Sequence, residues 1–133
     1  MNILILEDNP NRIEIFLLAL SKDNVITIAE TAQEAIDLIA LMSFDVIFLD
    51  HDLGLQQYVS EDLENTGSGV VRWMLEKKEY LLDPHGPLII VHSQNEPAAK
   101  SMESKLQSAD FNVRRVSFYS LCKNNFNEVP NTR

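Results

Sequence analysis

The stretch Phe44-Asp45-Val46-Ile47-Phe48-Leu49-Asp50-His51-Asp52-Leu53 decides the fold. An apolar run, Val46 to Leu49, stops abruptly at three ionisable side chains. So short a run, rich in β-branched and aromatic residues, reads as a strand buried on both faces, as in a parallel sheet. A buried carboxylate without a partner is costly, so Asp50 belongs where the strand emerges and a cation can meet it. In open α/β sheets that place, outside the carboxyl ends of the strands, is where ligands bind.

The same grammar recurs outward from this strand. Asn2 to Leu6 is an apolar run ending in Glu7-Asp8, and Asn9-Pro10 then opens a helix with Ile13, Phe16, Leu17 and Leu20 on one stripe. Val25 to Ala29 is the next strand, followed by the capping box Thr31-Ala32-Gln33-Glu34 and a helix carrying Ala32, Ala35, Ile36 and Ile39. Beyond the 44–53 stretch, Thr66-Gly67-Ser68-Gly69 starts a third helix with Val70, Val71, Met74 and Leu75 inward. Leu88 to Val91 is a fourth buried strand, ending at His92-Ser93-Gln94-Asn95. Pro97 opens a helix with Ala99, Met102, Leu106 and Ala109 on one side, and residues 111–116 form a less apolar strand expected at an edge. Strand–helix alternation throughout predicts an α/β fold, a doubly wound parallel five-stranded sheet of order 2-1-3-4-5, flavodoxin-like, with a truncated or missing last helix. The expected organisation is one domain over residues 1–121 and a polar C-terminal tail over 122–133.

Composition narrows the function. The 133 residues carry 20 acidic and 11 basic side chains, a formal charge of −9. That disfavours binding to the backbone of duplex nucleic acid, which needs clustered Lys and Arg. A small phosphate ligand is still compatible, because a divalent metal inverts the local charge. The single cysteine, Cys122, leaves no internal disulfide. No apolar run approaches the ~20 residues of a membrane span, and the first residues lack the basic flank and cleavage site of a signal peptide. A soluble, cytoplasmic protein is expected.

Strands one, three and four are neighbours at the centre of such a sheet, so Glu7-Asp8, Asp50-His51-Asp52 and His92-Ser93 converge on one crevice. Several carboxylates this close do not all stay ionised unless they share a cation. Oxygen ligands of this kind suit Mg²⁺ or Mn²⁺, which also accept phosphate oxygens. The expected metal ligands are Glu7, Asp8 and Asp50. A further segment, residues 51–66, has no periodicity and exceeds the usual length of a connection. Its span 54–66 is expected to order as a lid over a ligand.

The stretches ILILEDN (3–9), FDVIFLD (44–50) and IIVHS (89–93) resemble the first, third and fourth strand signatures of the response-regulator receiver domain. The resemblance runs from residue 2 to about 116. It implies a metal-binding acidic pair at Glu7 and Asp8 and a phosphoacceptor at Asp50. It further implies a phosphoryl-contacting hydroxyl at Ser93 and a metal-bound backbone carbonyl at Asp52. The receiver's lysine after the fifth strand is missing, since Val116 or Ser117 stands there, and Arg114 or Arg115 is the nearest substitute. The LDHDL strand end (49–53), the long loop into Asn65-Thr66-Gly67 and the HSxN motif (92–95) are instead similar to a divergent, receiver-derived group. That group is associated with processing cyclic phosphates of nucleotides or RNA ends.

Three functions follow. The first is a metal-dependent phosphoesterase acting on a cyclic or small phosphate ester. There Asp50, His51, Asp52 and His92 would be catalytic, with His51 or His92 as general acid or base, and Ser93, Asn95 and Thr66 would contact phosphate. The second is a stand-alone receiver phosphorylated on Asp50, meeting a protein partner through the face of the helix after Pro97 and the fifth strand. The third is a binding module that performs neither reaction. Plainer roles compete at several positions. Asn95 reads best as a helix N-cap, His85 as a turn residue, and Glu61, Asp62 and Glu64 as a solvated face. Helical metal phosphohydrolases also carry an HD pair, but on a helix among further ligands, whereas His51-Asp52 follows a strand.

Overall fold

A computed structural model describes residues 1–54 and 58–130. The elements run β1 (Asn2–Leu6), α1 (Pro10–Leu20), β2 (Val25–Ala29), α2 (Ala32–Leu41), β3 (Val46–Leu49), α3 (Gly67–Glu76), α4 (Lys78–Leu81), β4 (Leu88–Val91), α5 (Glu96–Ser108), β5 (Asn112–Arg115) and α6 (Phe118–Lys123). All strand pairs are parallel and the sheet order is β2-β1-β3-β4-β5. The short helix α4 adds a turn that apolar periodicity does not announce.

Local chemistry sets the boundaries. Asn9 caps α1, its side chain accepting from the N–H groups of Asn11 and Arg12, with Pro10 at the first helical position. Thr31, Thr66 and Asn95 cap α2, α3 and α5 in the same way. Among the described residues only the six-residue α6 follows β5, capped by Ser117. Leu121 and Phe126 are nevertheless buried, so chain beyond the fifth strand still contributes to the core.

The sheet divides two apolar layers, and the alternation of strand side chains assigns them. Leu4, Leu6, Ile47, Leu49, Ile89 and Val91 face α2, α3 and α5. Ile3, Ile5, Val46, Phe48, Leu88 and Ile90 face the other layer, with Phe16 and Leu20 of α1 and Leu121 of α6. Phe16 is the hub of that second layer, its ring 5.0 Å from Phe48, 5.2 Å from His92 and 5.3 Å from Phe118. Among the described residues no helix is long and apolar enough to cross a membrane.

Candidate functional site

Register builds the site. Leu6 pairs with Leu49, and Leu49 with Val91. The ladder continues one step further, since the Asp50 N–H donates to Leu6 O and the His92 N–H to Leu49 O. Leu6, Leu49 and Val91 point to the α2/α3/α5 layer, so the next residue of each strand, Glu7, Asp50 and His92, turns to the α1/α6 side. The three side chains therefore form one row. Each offers a ligand atom, all within 4.8 Å of one another, and all three residues are buried.

His92 Nε2 lies 3.1 Å from Glu7 Oε1. Glu7 Oε2 accepts from the N–H groups of Asp8 and Asn9, at 3.1 and 3.2 Å, which fixes the carboxylate at the start of α1. The Arg12 guanidinium stands 3.6 Å from Glu7 Oε1 and 5.2 Å from the centre of the Phe118 ring. Burial pushes the Glu7 carboxyl up, but the hydrogen bond and charge of His92, the Asn9 N–H and Arg12 outweigh it and hold it below its ordinary value. Asp50 goes the other way. Burial raises its carboxyl to about 7, and the Glu7 charge adds to the rise. His92, the His51 N–H and Arg12 offset only part of it. Two acids on one row, one held ionised and one resisting ionisation, make a place where a cation would be stabilised.

The expected ligand set was Glu7, Asp8 and Asp50. The group brought together shares Glu7 and Asp50 but has His92 as its third member. Asp8 is half-buried at the turn into α1, and its carboxylate is not among the clustered donors.

His51 and Asp52 are positioned differently. The strand alternation that turns Asp50 to the α1 side turns His51 to the other, and there His51 Nδ1 meets Asp52 Oδ1 at 2.8 Å. Asn95 Nδ2 donates to the same oxygen at 3.1 Å and to Val59 O at 3.3 Å. The N–H groups of Tyr58 and Val59 donate to Asp52 at 2.6 and 3.3 Å. Burial raises the Asp52 carboxyl, but the hydrogen bonds from His51, Asn95 and Tyr58 outweigh it and hold the group ionised. His51 is fully buried, and its Nε2 has no partner among the described residues.

Ser93 Oγ accepts from the Asn95 N–H, and Asn95 Oδ1 accepts from Ala98 N as the α5 cap. Thr66 Oγ1 donates to Leu63 O and accepts from Gly69 N, so its hydroxyl is engaged in starting α3. Gly67 brings that helix against the strand end. Its N–H donates to His51 O, and a Cβ here would overlap the backbone oxygen of Asp50 and the Met102 side chain. Part of the expected lid, residues 55–57, lies outside the described residues. Its later part is tied down by Arg72, which donates to Glu61 O and Leu63 O, and by Asn65, which accepts from Ala32 N.

At the lysine position after β5, Val116 is half-buried and Ser117 is a helix cap. Arg115 turns to Glu103 and Glu96 of α5, at 3.4 and 3.9 Å, and Arg114 is exposed. The cation at the site is Arg12, which sequence reasoning does not single out. Its one available signal is spacing: Arg12 lies one helical turn before the core residue Phe16, on the same face of α1.

Residues 3–108 match the model of the cyclic-phosphate processing Receiver domain. No curated protein matches the chain in sequence. Among solved structures it is similar to the response regulator TrrA of Thermotoga maritima in complex with Mg²⁺-BeF. That match has 21% identity and a TM-score of 0.56, and covers 87% of this chain and 84% of that one. It is also similar to the non-phosphorylated HemR receiver domain of Leptospira biflexa, with 16% identity, a TM-score of 0.63 and coverage of 99% and 98%. A CheY-like receiver domain from Methylobacillus flagellatus matches with 15% identity, a TM-score of 0.63 and coverage of 94% and 98%. At these identities the likeness is one of fold.

Proposed function

The chain belongs to the cyclic-phosphate processing receiver domain family, and on that premise we propose that it is a metal-dependent phosphoesterase acting on cyclic or small phosphate esters of nucleotides or RNA ends. The observation that carries this reading is the buried row of Glu7, Asp50 and His92, with ligand atoms within 4.8 Å of one another. The donor set fits a divalent cation, since burial and the Glu7 charge hold the Asp50 carboxyl near 7 until a positive charge arrives. Glu7 and Asp50 would hold it, with Asp8 at the edge of the site, and Mg²⁺ or Mn²⁺ suits their oxygens. When bound, such an ion polarises a phosphoryl group and favours attack by water.

The chain's own groups do the rest. Arg12 offers the guanidinium that a phosphate oxygen needs where the receiver lysine is missing. Proton transfer is assigned to His51, the ring whose Nδ1 is fixed by Asp52 and whose Nε2 has no partner among the described residues. Asp52, which meets His51 Nδ1, also accepts from the Tyr58 N–H, and Asn95 donates to Val59 O, so the loop is tied to the residues around the buried ring. Ser93 Oγ, slightly exposed, keeps a proton to donate to a phosphate oxygen.

The test is incubation of the purified protein with Mn²⁺ and a panel of 2′,3′-cyclic nucleotides and phosphomonoesters. Opening of a cyclic phosphate to a monoester is expected. Absence of turnover across the panel would overturn the reading.

Stable phosphorylation of Asp50 is the competing reading, and the missing lysine counts against it. One charge-assisted contact is worth about 1.5–3 kcal/mol, so phosphoryl occupancy should fall roughly ten- to a hundredfold. Acetyl phosphate with Mg²⁺ should leave the intact mass unchanged. Stoichiometric modification lasting minutes would make this a working receiver.

A further inference from the structure

We infer that His92 is a metal ligand, and that the Glu7–Asp50–His92 row therefore selects a first-row transition dication, Mn²⁺ through Zn²⁺, over Mg²⁺. The inference rests on the metal reading above and deepens it. Its basis is the composition of the row. Two of its donors are carboxylate oxygens and the third is an imidazole nitrogen on a fully buried ring. Mg²⁺ demands oxygen and keeps its waters, whereas imidazole suits the later first-row dications.

Distances point the same way. Metal–ligand bonds to nitrogen and oxygen of about 2.0–2.2 Å put neighbouring ligands roughly 2.8–3.6 Å apart. The 3.1 Å between His92 Nε2 and Glu7 Oε1 falls in that interval, so the same separation serves as a hydrogen bond without the ion and as an edge of the coordination sphere with it. The first ligand is already oriented, because the N–H groups of Asp8 and Asn9 fix Glu7 through its other oxygen. The ring itself is wedged edge-on against Phe16, 5.2 Å away, and Phe48, 6.1 Å away, which restricts its orientation. The ring's other nitrogen, Nδ1, is buried with no hydrogen-bond partner among the described residues, so Nε2 is the nitrogen turned to the row.

The experiment is calorimetric titration of the full chain with each metal alone, Mg²⁺, Mn²⁺, Co²⁺ and Zn²⁺, for wild type and His92→Gln. Pulsed EPR of the Mn²⁺-loaded wild type accompanies it. Co²⁺ and Zn²⁺ are expected to bind about a hundredfold or more tighter than Mg²⁺. His92→Gln should lose roughly ten- to a hundredfold for Co²⁺ and Zn²⁺ while leaving Mg²⁺ nearly unchanged. The EPR signal should carry ¹⁴N modulation from the ring, a signature that needs no variant and that a merely structural histidine would not give. Mn²⁺ binding without nitrogen modulation, or Mg²⁺ affinity equal to that for Zn²⁺, would overturn the assignment of His92 and leave the phosphoesterase reading standing. Failure of every dication to bind would overturn both.

Discussion

Two histidine–carboxylate pairs lie on either side of the end of β3 and behave in opposite ways: Glu7–His92, from the ends of β1 and β4, and His51–Asp52, just after β3. On the α1 side, Glu7 and His92 share a row with Asp50, which resists ionisation and has one hydrogen-bond donor, the His51 N–H, among the bonds resolved. On the α3/α5 side, Asp52 accepts from His51, Asn95, Tyr58 and Val59 and is held ionised. The first group stores an unmet electrostatic demand, whereas in the second the acid is satisfied and pins a loop, and only His51 Nε2 is left without a partner among the described residues. A histidine beside an acid is thus not one motif with one meaning. The number of donors already supplied to the acid decides whether it holds structure or waits for a ligand.

The largest effect should come from Asp50→Asn. The amide removes a charge from the row, so the thermal shift given by Mn²⁺ should disappear and turnover should fall by at least a hundredfold, about 3 kcal/mol of barrier. In chelator the same variant should be more stable than wild type. The sign follows from the Asp50 carboxyl, which titrates at about 7 in the folded chain against an ordinary 3.8. Folded protein binds the extra proton between those values, so wild type loses stability as pH rises from about 4 to about 7. Glu7 and Asp52 have the opposite sign, and their contribution is lost only as pH falls through their lowered values. Denaturant melts should show Asp50→Asn gaining roughly 1–4 kcal/mol at pH 8 and nothing at pH 4. A variant less stable than wild type at pH 8 would break the contrast.

Asp52→Ala probes the clasp. Removing the acceptor of four donors should cost about 2–4 kcal/mol and expose the 58–63 backbone to limited proteolysis. The calorimetric affinity for Mn²⁺ should be unchanged. Loss of metal binding here would mean that the two groups work as one.

Arg12→Gln sharpens the first group. Arg12 is partly solvent-screened, so its pairing with Glu7 should be worth under about 1 kcal/mol in a thermal melt. The apparent affinity for a phosphate ester should nonetheless drop about tenfold, as for loss of one charge-assisted contact. The smallest effect belongs to Arg114→Ala. Exposed on β5, it should alter stability by no more than ~0.5 kcal/mol and turnover not at all, whereas a tenfold loss would return the lysine's role to the fifth strand.

By itself the sequence determined the sheet, its order, and the presence of Glu7, Asp50 and His92 at strand ends. Apolar runs that stop at polar residues, alternating with capped amphipathic helices, are local signals, and a parallel sheet is the fold that buries all of them. Tertiary structure decided which of those polar residues meet. A side chain's face flips with every residue along a strand, so the choice of His92 over Asp8 depends on the register between β1, β3 and β4, residues 85 apart in sequence for Glu7 and His92. The same parity separates His51 from Asp50, though the two are adjacent in the chain. Arg12 reaches the row only because Phe16 docks α1 on that layer, a packing event no spacing within β3 encodes. Electrostatic demand arises between elements, whereas sequence patterning reports mainly on what happens within them.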